Sequence, residues 1–287
     1  MGFRVRIWLG LWTRATPRSR TPADLIVAPF VSAAPMDAAM AWAPDWKTSA
    51  VGAILRNRPG ALLDVGANVG QTLMDFLSAP VRSTYLGFEP NLICYQHLVK
   101  LVSDNALDGC RVLPVGLCDR NDVCELYRCS DVDSGTTLLS NAHPGLPKIA
   151  ESASVFRLDD LAHHLPEPEI ALIKIDVEGA ELEVLRGMRK TVARTKPWIL
   201  CEVLHRDPLA EPKPYRERCR ELIKLLATMD YEILHVLQNE AATKVIGLAK
   251  VDRFPDRSWD DKVSPTGCDY LFVPQGQAAA AQQLFGG

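Results

Sequence analysis

The stretch Ala61-Leu62-Leu63-Asp64-Val65-Gly66-Ala67-Asn68-Val69-Gly70 decides the fold. Its first half is a short apolar run that stops at a glycine, the pattern of a buried strand. Gln71–Ser78 follows at helical spacing, with Leu73, Phe76 and Leu77 on one side. A strand that passes into a helix through two glycines opens a nucleotide-binding sheet. Gly66 permits a tight turn and close backbone approach to a ligand, and Gly70 lets the helix pack near the strand.

The alternation extends outward from this unit. Residues 83–88 predict a second strand, 92–102 a helix and 111–115 a third strand. Ile170–Ile175 predicts a central strand, apolar on both faces apart from Lys174. A helix is expected over 178–188, a strand over 198–203, an amphipathic helix over 215–229, and last strands over 231–237 and 270–273. Such alternation means an α/β protein with a Rossmann-like, doubly wound, mostly parallel sheet. Ligands then lie beyond the carboxyl ends of the strands, where Asp64–Gly70, Glu89, Asp119, Asp176–Gly179 and Glu202–His205 stand. Residues 124–128 and 154–158 read as further strands flanking a long excursion over the site, 131–148. Residues 238–268 read as a surface insertion.

The 287 residues carry a formal net charge of -3, with 47% hydrophobic and 23% charged residues. That balance excludes a disordered chain, a collagen-like fibre and a coiled coil, and leaves no global basic field for nucleic acid. The eight cysteines form no C-x-x-C pair. They read as buried thiols of a cytoplasmic protein rather than a zinc cluster. Residues 1–20 hold Arg4, Arg6, Arg14, Arg18 and Arg20. The apolar run 7–12 is too short for a signal core or a transmembrane segment. These residues read as a solvated leader, with weak contact to an anionic membrane surface as the alternative. The expected organisation is an N-terminal extension over 1–55, partly disordered, a catalytic domain over 56–276 and a flexible tail over 277–287.

The loop spacing discriminates between nucleotides. A dinucleotide fingerprint is G-x-G-x-x-G, whereas Gly66 and Gly70 make G-x-x-x-G, without the glycine that lets a pyrophosphate approach. Asp64 beside the loop opposes a pyrophosphate and favours the ammonium and sulfonium of S-adenosylmethionine. Glu89, 19 residues after Gly70, can accept both hydroxyl protons of a ribose. The alternatives are an NAD-linked oxidoreductase or epimerase, and a binding protein that keeps the fold without catalysis.

"LLDVGANVGQT", "YLGFEPN", "LIKIDVEGAELEVLRG" and "PWILCEVLH" together resemble the FkbM-type methyltransferases, over about residues 60–205 and again at "CDYLFVP". The resemblance implies a seven-stranded Rossmann-like sheet with an antiparallel last strand. It also implies S-adenosylmethionine as donor and a hydroxyl of a sugar, natural product or lipid-like small molecule as acceptor. Carried over by position, it sets Asp64, Gly66, Ala67, Asn68 and Gly70 around the methionine part of the donor, Glu89 at the ribose and Asp119 at the adenine. The segment Cys201-Glu202-Val203-Leu204-His205 departs from the family pattern by the spacing of its glutamate and histidine.

Asp176 and Glu178 follow the central strand, where a strand-to-helix turn can project both into one cleft. Methyl transfer needs donor and acceptor aligned, and a hydroxyl acceptor profits from a base. Asp176 is the first candidate to orient or deprotonate that hydroxyl, with His205 the second base and Glu178 beside them. The structural alternative is that Asp176 caps the following helix and Glu178 favours its N-terminus. Asp176, Glu178, Glu202 and His205 also offer ligands for a divalent metal, an alternative set aside in favour of catalysis without one.

Overall fold

The computed structural model describes residues 43–128, 136–139, 149–165, 169–204, 212–254 and 267–286. The arginines of residues 1–20, His205 and most of the 131–148 excursion lie outside the described residues.

The strands are β1 (Ala61–Val65), β2 (Tyr85–Phe88), β3 (Cys110–Leu113), β4 (Gly116–Leu117), β5 (Asp122–Arg128), β6 (Ile149–Phe156), β7 (Ile170–Ile175), β8 (Trp198–Glu202), β9 (Tyr231–Gln238), β10 (Val245–Val251) and β11 (Asp269–Pro274). Eight of them form one sheet in the order β10-β9-β11-β8-β7-β1-β2-β3. β1, β2, β3, β7 and β8 are mutually parallel. The last strand, β11, lies antiparallel between β8 and β9. These strands and β9 make the seven expected, and β10 adds an eighth by pairing antiparallel with β9 at the edge. The insertion expected over 238–268 therefore supplies a strand. β4, β6 and β5 form a separate three-stranded sheet.

Alternate residues of the central strands feed two cores. Leu63, Val65, Ile173, Ile175, Ile199 and Phe272 face one side, and Leu62, Leu172, Leu200, Leu271 and Val273 the other. This period of two, buried on both faces, is what continuous apolar runs produce in a covered sheet. The first face receives α4 (Glu181–Gly187), α5 (Arg189–Thr195) and α6 (Pro212–Thr228), through Leu182, Val192 and Leu226 among others. The second receives α1 (Trp46–Asn57), α2 (Gln71–Ser78), α3 (Leu92–Asp104) and α7 (Ala278–Phe285), through Ile54, Leu73, Leu98 and Ala281.

Both expected chain boundaries need correction. Residue 56 falls inside α1, whose Trp46, Ala50, Val51, Ile54 and Leu55 are buried. The stretch expected as a flexible tail is helical from Ala278. Ala281 is fully buried and the Gln282 side-chain amide donates to the Leu248 carbonyl. An alanine-rich segment has little side-chain entropy to lose and needs only a small apolar contact to dock.

Candidate active site

The carboxyl ends of β1, β2, β7 and β8 meet at one cavity of about 520 Å³. That size suits a small ligand, for which pockets run to roughly 300–1,000 Å³.

The glycine loop forms its floor. Gly66 has φ 82°, and a Cβ there would stand 1.9 Å from the Asp176 carbonyl oxygen. Only a residue without a side chain lets β1 leave the sheet so close to the end of β7. The backbone N–H groups of Gly66 and Ala67 both donate to the Phe88 carbonyl at 3.1 Å, tying the loop to β2. Asn68, at φ 47°, donates its N–H to Glu89 Oε2 at 2.7 Å. Asn91, the cap of α3, donates its N–H to Glu89 Oε1 at 2.7 Å. Glu89 is thereby fixed on the cavity wall. Burial pushes its pKa up to about 7, against the opposing pull of the two amides.

Three charges follow in a line behind the loop. Asp64 is fully buried and accepts a 2.6 Å hydrogen bond from the Tyr85 hydroxyl. Lys174 Nζ lies 3.6 Å from Asp64 Oδ1, 3.2 Å from Asp176 Oδ2 and 3.4 Å from the Gly66 carbonyl, to which it donates. Asp64 does not line the cavity, whereas Lys174 and Asp176 do. Asp64, expected beside the cationic part of the donor, thus stands behind the loop with Tyr85 and Lys174 as its neighbours.

On the far wall stand Asp176, Glu178 and Glu202. Burial raises the Asp176 pKa, but the Lys174 and Lys47 cations outweigh it and leave the group below its ordinary value. Glu202 is pushed up to about 9 by the Asp176 charge first and by burial second. Its register partner on β11, Asp269, rises to about 6 through burial. At neutral pH this wall holds a fixed anion at Asp176 and a stored proton at Glu202.

Glu178 corrects the sequence reading. The helix expected from residue 178 starts at Glu181, and its N-cap is Ala180 without a side-chain cap. Neither Asp176 nor Glu178 caps it. Glu178 (φ 51°) and Gly179 (φ 104°) instead form a left-handed turn. Thr137 Oγ1 donates to the Glu178 carbonyl at 2.8 Å, and the Gly179 N–H donates to Glu181 Oε1 at 2.8 Å. Arg218 Nη2 donates to the Gly179 carbonyl at 2.8 Å. These bonds hold the turn that aims residues 176–178 at the cavity.

Of the other expected residues, Asn68 lines the cavity whereas Ala67 and Gly70 do not. Asp119, expected at the adenine, is partly exposed, sits 3.4 Å from Arg120 and does not line the cavity. Gly116 and Leu117 take that border instead. Among the described residues no cluster of His, Cys, Asp or Glu is arranged to hold a metal ion. Lys47 was missed. It enters from α1, which Asp45 begins with a capping box closed by Thr48. The Asp45-x-x-Thr48 spacing is a legible start signal for that helix.

The sequence profile of the methyltransferase FkbM domain matches residues 64–233. Methyltransferase sdnD of Sordaria araneosa is 29% identical over 154 residues, which cover 44% of this chain and 60% of that protein. The chain thus matches about three-fifths of the curated relative's length. Among solved structures, methyltransferase FkbM from Methylobacillus flagellatus KT is 18% identical at a TM-score of 0.45, covering 74% of this chain and 43% of that one. The SAH-bound Podospora anserina methyltransferase PaMTH1 is 11% identical at a TM-score of 0.40, covering 80% and 77%.

Proposed function

The chain belongs to the FkbM methyltransferase family, and on that premise we propose that it is an S-adenosylmethionine-dependent methyltransferase acting on a hydroxyl oxygen of a small sugar, natural-product or lipid-like acceptor. The observation that carries the reading is Glu89, a carboxylate fixed by two backbone amides at the end of β2 on the wall of a ligand-sized cavity. An anion held this way suits a pair of hydroxyl protons such as a ribose presents.

The remaining wall fits the donor's chemistry. Phe88, Cys94 and Leu117 give an apolar border beside Glu89, suited to a purine. Asp176 gives an anion suited to an ammonium or a sulfonium. When bound, the donor supplies a methyl group made electrophilic by its positive sulfur. Asp176 serves by accepting a hydrogen bond from the acceptor hydroxyl and orienting it, since its lowered pKa makes it a weak base. Proton removal falls to a stronger base, either Glu202 of the same wall once ionised or His205, which lies outside the described residues. The described cysteines are free thiols, which supports a cytoplasmic setting.

Calorimetric titration with S-adenosylhomocysteine and, separately, with NAD tests the reading. Binding of the first and its loss in Glu89→Ala is expected. Binding of NAD alone would overturn it.

A further inference from the structure

Residues 136–139 of the long excursion form a strap clasped at two points. The Tyr127 N–H donates to the Thr137 carbonyl at 2.8 Å, and the Thr137 N–H donates to the Tyr127 carbonyl at 2.9 Å. That pair of bonds joins the strap to β5 as a short antiparallel bridge. The second clasp is the Thr137 hydroxyl. It is buried, donates to the Glu178 carbonyl at 2.8 Å and accepts the Leu139 N–H at 3.1 Å. Leu139 packs against the same turn: a Cβ on Gly179 would stand 3.2 Å from its Cδ1.

In an extended segment alternate side chains face opposite ways. Thr137 points to the Glu178 turn, while its neighbours Thr136 and Leu138 line the cavity. Leu126 precedes Tyr127 on β5, is buried and lines the cavity as well. The clasp at Thr137 therefore brings two leucines up to the segment of Asp176 and Glu178, where the acceptor hydroxyl is to be oriented. A ligand hydroxyl turned toward such a wall gives up its water and gains no partner, which is costly. Hydrocarbon in the same place is favoured by its own burial.

We infer that Leu126 and Leu138 form the acceptor wall, and that they select an acceptor whose reacting hydroxyl is carried on hydrocarbon rather than on a polyhydroxylated chain or ring. The inference rests on the methyltransferase reading above and narrows its acceptor class. Thr137 is a positioning residue: through the Glu178 carbonyl it sets the place of the leucine wall relative to Asp176.

Saturation-transfer NMR on the full chain loaded with S-adenosylhomocysteine tests this, with 1-hexanol and sorbitol as probes. Both have a six-carbon chain, and they carry one hydroxyl and six. Hexanol is expected to bind at least about tenfold more tightly than sorbitol. Leu138→Asn should weaken hexanol by at least about fivefold and narrow the preference. Leu138→Ala, which adds no polar group, should weaken it by at least about threefold. Thr137→Val, close to the native shape, should also weaken hexanol, and Thr137→Ser should keep the native affinity. Sorbitol bound as tightly as hexanol, binding of neither probe, or native hexanol affinity in both Leu138 variants overturns the inference, while binding of S-adenosylhomocysteine leaves the donor assignment standing. A native protein that does not bind S-adenosylhomocysteine overturns the donor assignment and this inference with it.

Discussion

Lys174 Nζ stands 3.2 Å from Asp176 Oδ2 while the same ammonium faces the fully buried Asp64. One lysine, itself buried within β7, thus neutralises a structural carboxylate on one side and sets the ionisation of a cavity carboxylate on the other. Removing one partner of a buried ionic group leaves an uncompensated charge, which typically costs about 3–5 kcal/mol. Lys174→Met is expected to lose stability on that scale in urea unfolding. Adding Asp64→Asn should recover part of the loss, because the amide still accepts from Tyr85 without a charge. Equal stability of the single and double variants would show that Asp64 does not depend on Lys174.

On the proposed reading, Glu89 should make donor binding depend on pH. Its pKa is near 7 in the folded protein, so the carboxylate is half protonated at neutrality. Two hydroxyl donors favour the ionised form. Affinity for S-adenosylhomocysteine should therefore climb between pH 6 and 8 and level above that. Glu89→Gln should bind at least about tenfold more weakly and lose that slope, given the strength of hydrogen bonds to a charged group. A native protein whose affinity is flat over that interval would remove Glu89 from the ribose contact. The sign for stability is opposite: a raised carboxylate stabilises the fold at acid pH, and this contribution fades as pH rises toward 7.

Gly187 marks a contact that no motif announces. A Cβ there would lie 1.9 Å from the Cys118 carbonyl, at the point where α4 crosses the end of β4. Gly187→Ala is expected to force those elements apart and to cost about 1–3 kcal/mol, the usual penalty for overpacking a tight contact. Thermal melting should show the loss, with donor binding retained in the folded fraction. A melting temperature equal to the native one would mean that the two elements can separate freely.

What the sequence made legible follows from how local each signal is. The β1–α2 turn could be read because the apolar run 61–65, Gly66 and the helical spacing of 71–78 lie within twenty residues. The place of Glu89 on the cavity wall could be read because it follows directly on the next strand, whose carboxyl end opens on the cavity. The surroundings of Asp64 could not be read because its partners, Tyr85 and Lys174, are 21 and 110 residues away, and nothing in the loop itself shows which way its carboxylate turns. The surroundings of Asp119 were hidden for a related reason: it follows β4 by two residues, and Gly116 and Leu117 are the ones that line the cavity. Helix α1 carried a cap signal at Asp45 and Thr48. It was nonetheless left outside the domain, because its packing on α2 and β10 is a tertiary fact.

Glu181 supplies a test of the turn that carries Glu178. Its Oε1 accepts the Gly179 N–H at 2.8 Å, and burial pushes its pKa up to about 8, against the backbone hydrogen bonds and Arg218, which pull it down. For a carboxylate raised in the folded state, the protonated form stabilises the fold below the unfolded value near 4.5. That contribution is lost as pH rises through about 8. Glu89, Asp269 and Glu202 act in the same direction, so the native slope alone does not isolate Glu181. A comparison with Glu181→Gln does, since the amide oxygen can keep the Gly179 bond while nothing at that position titrates. The melting temperature of the Gln variant minus that of the native protein should grow between pH 5 and pH 8 and then level off. A difference that stays constant across that interval would mean that Glu181 is ionised throughout, and that its pairing with Arg218 outweighs its burial.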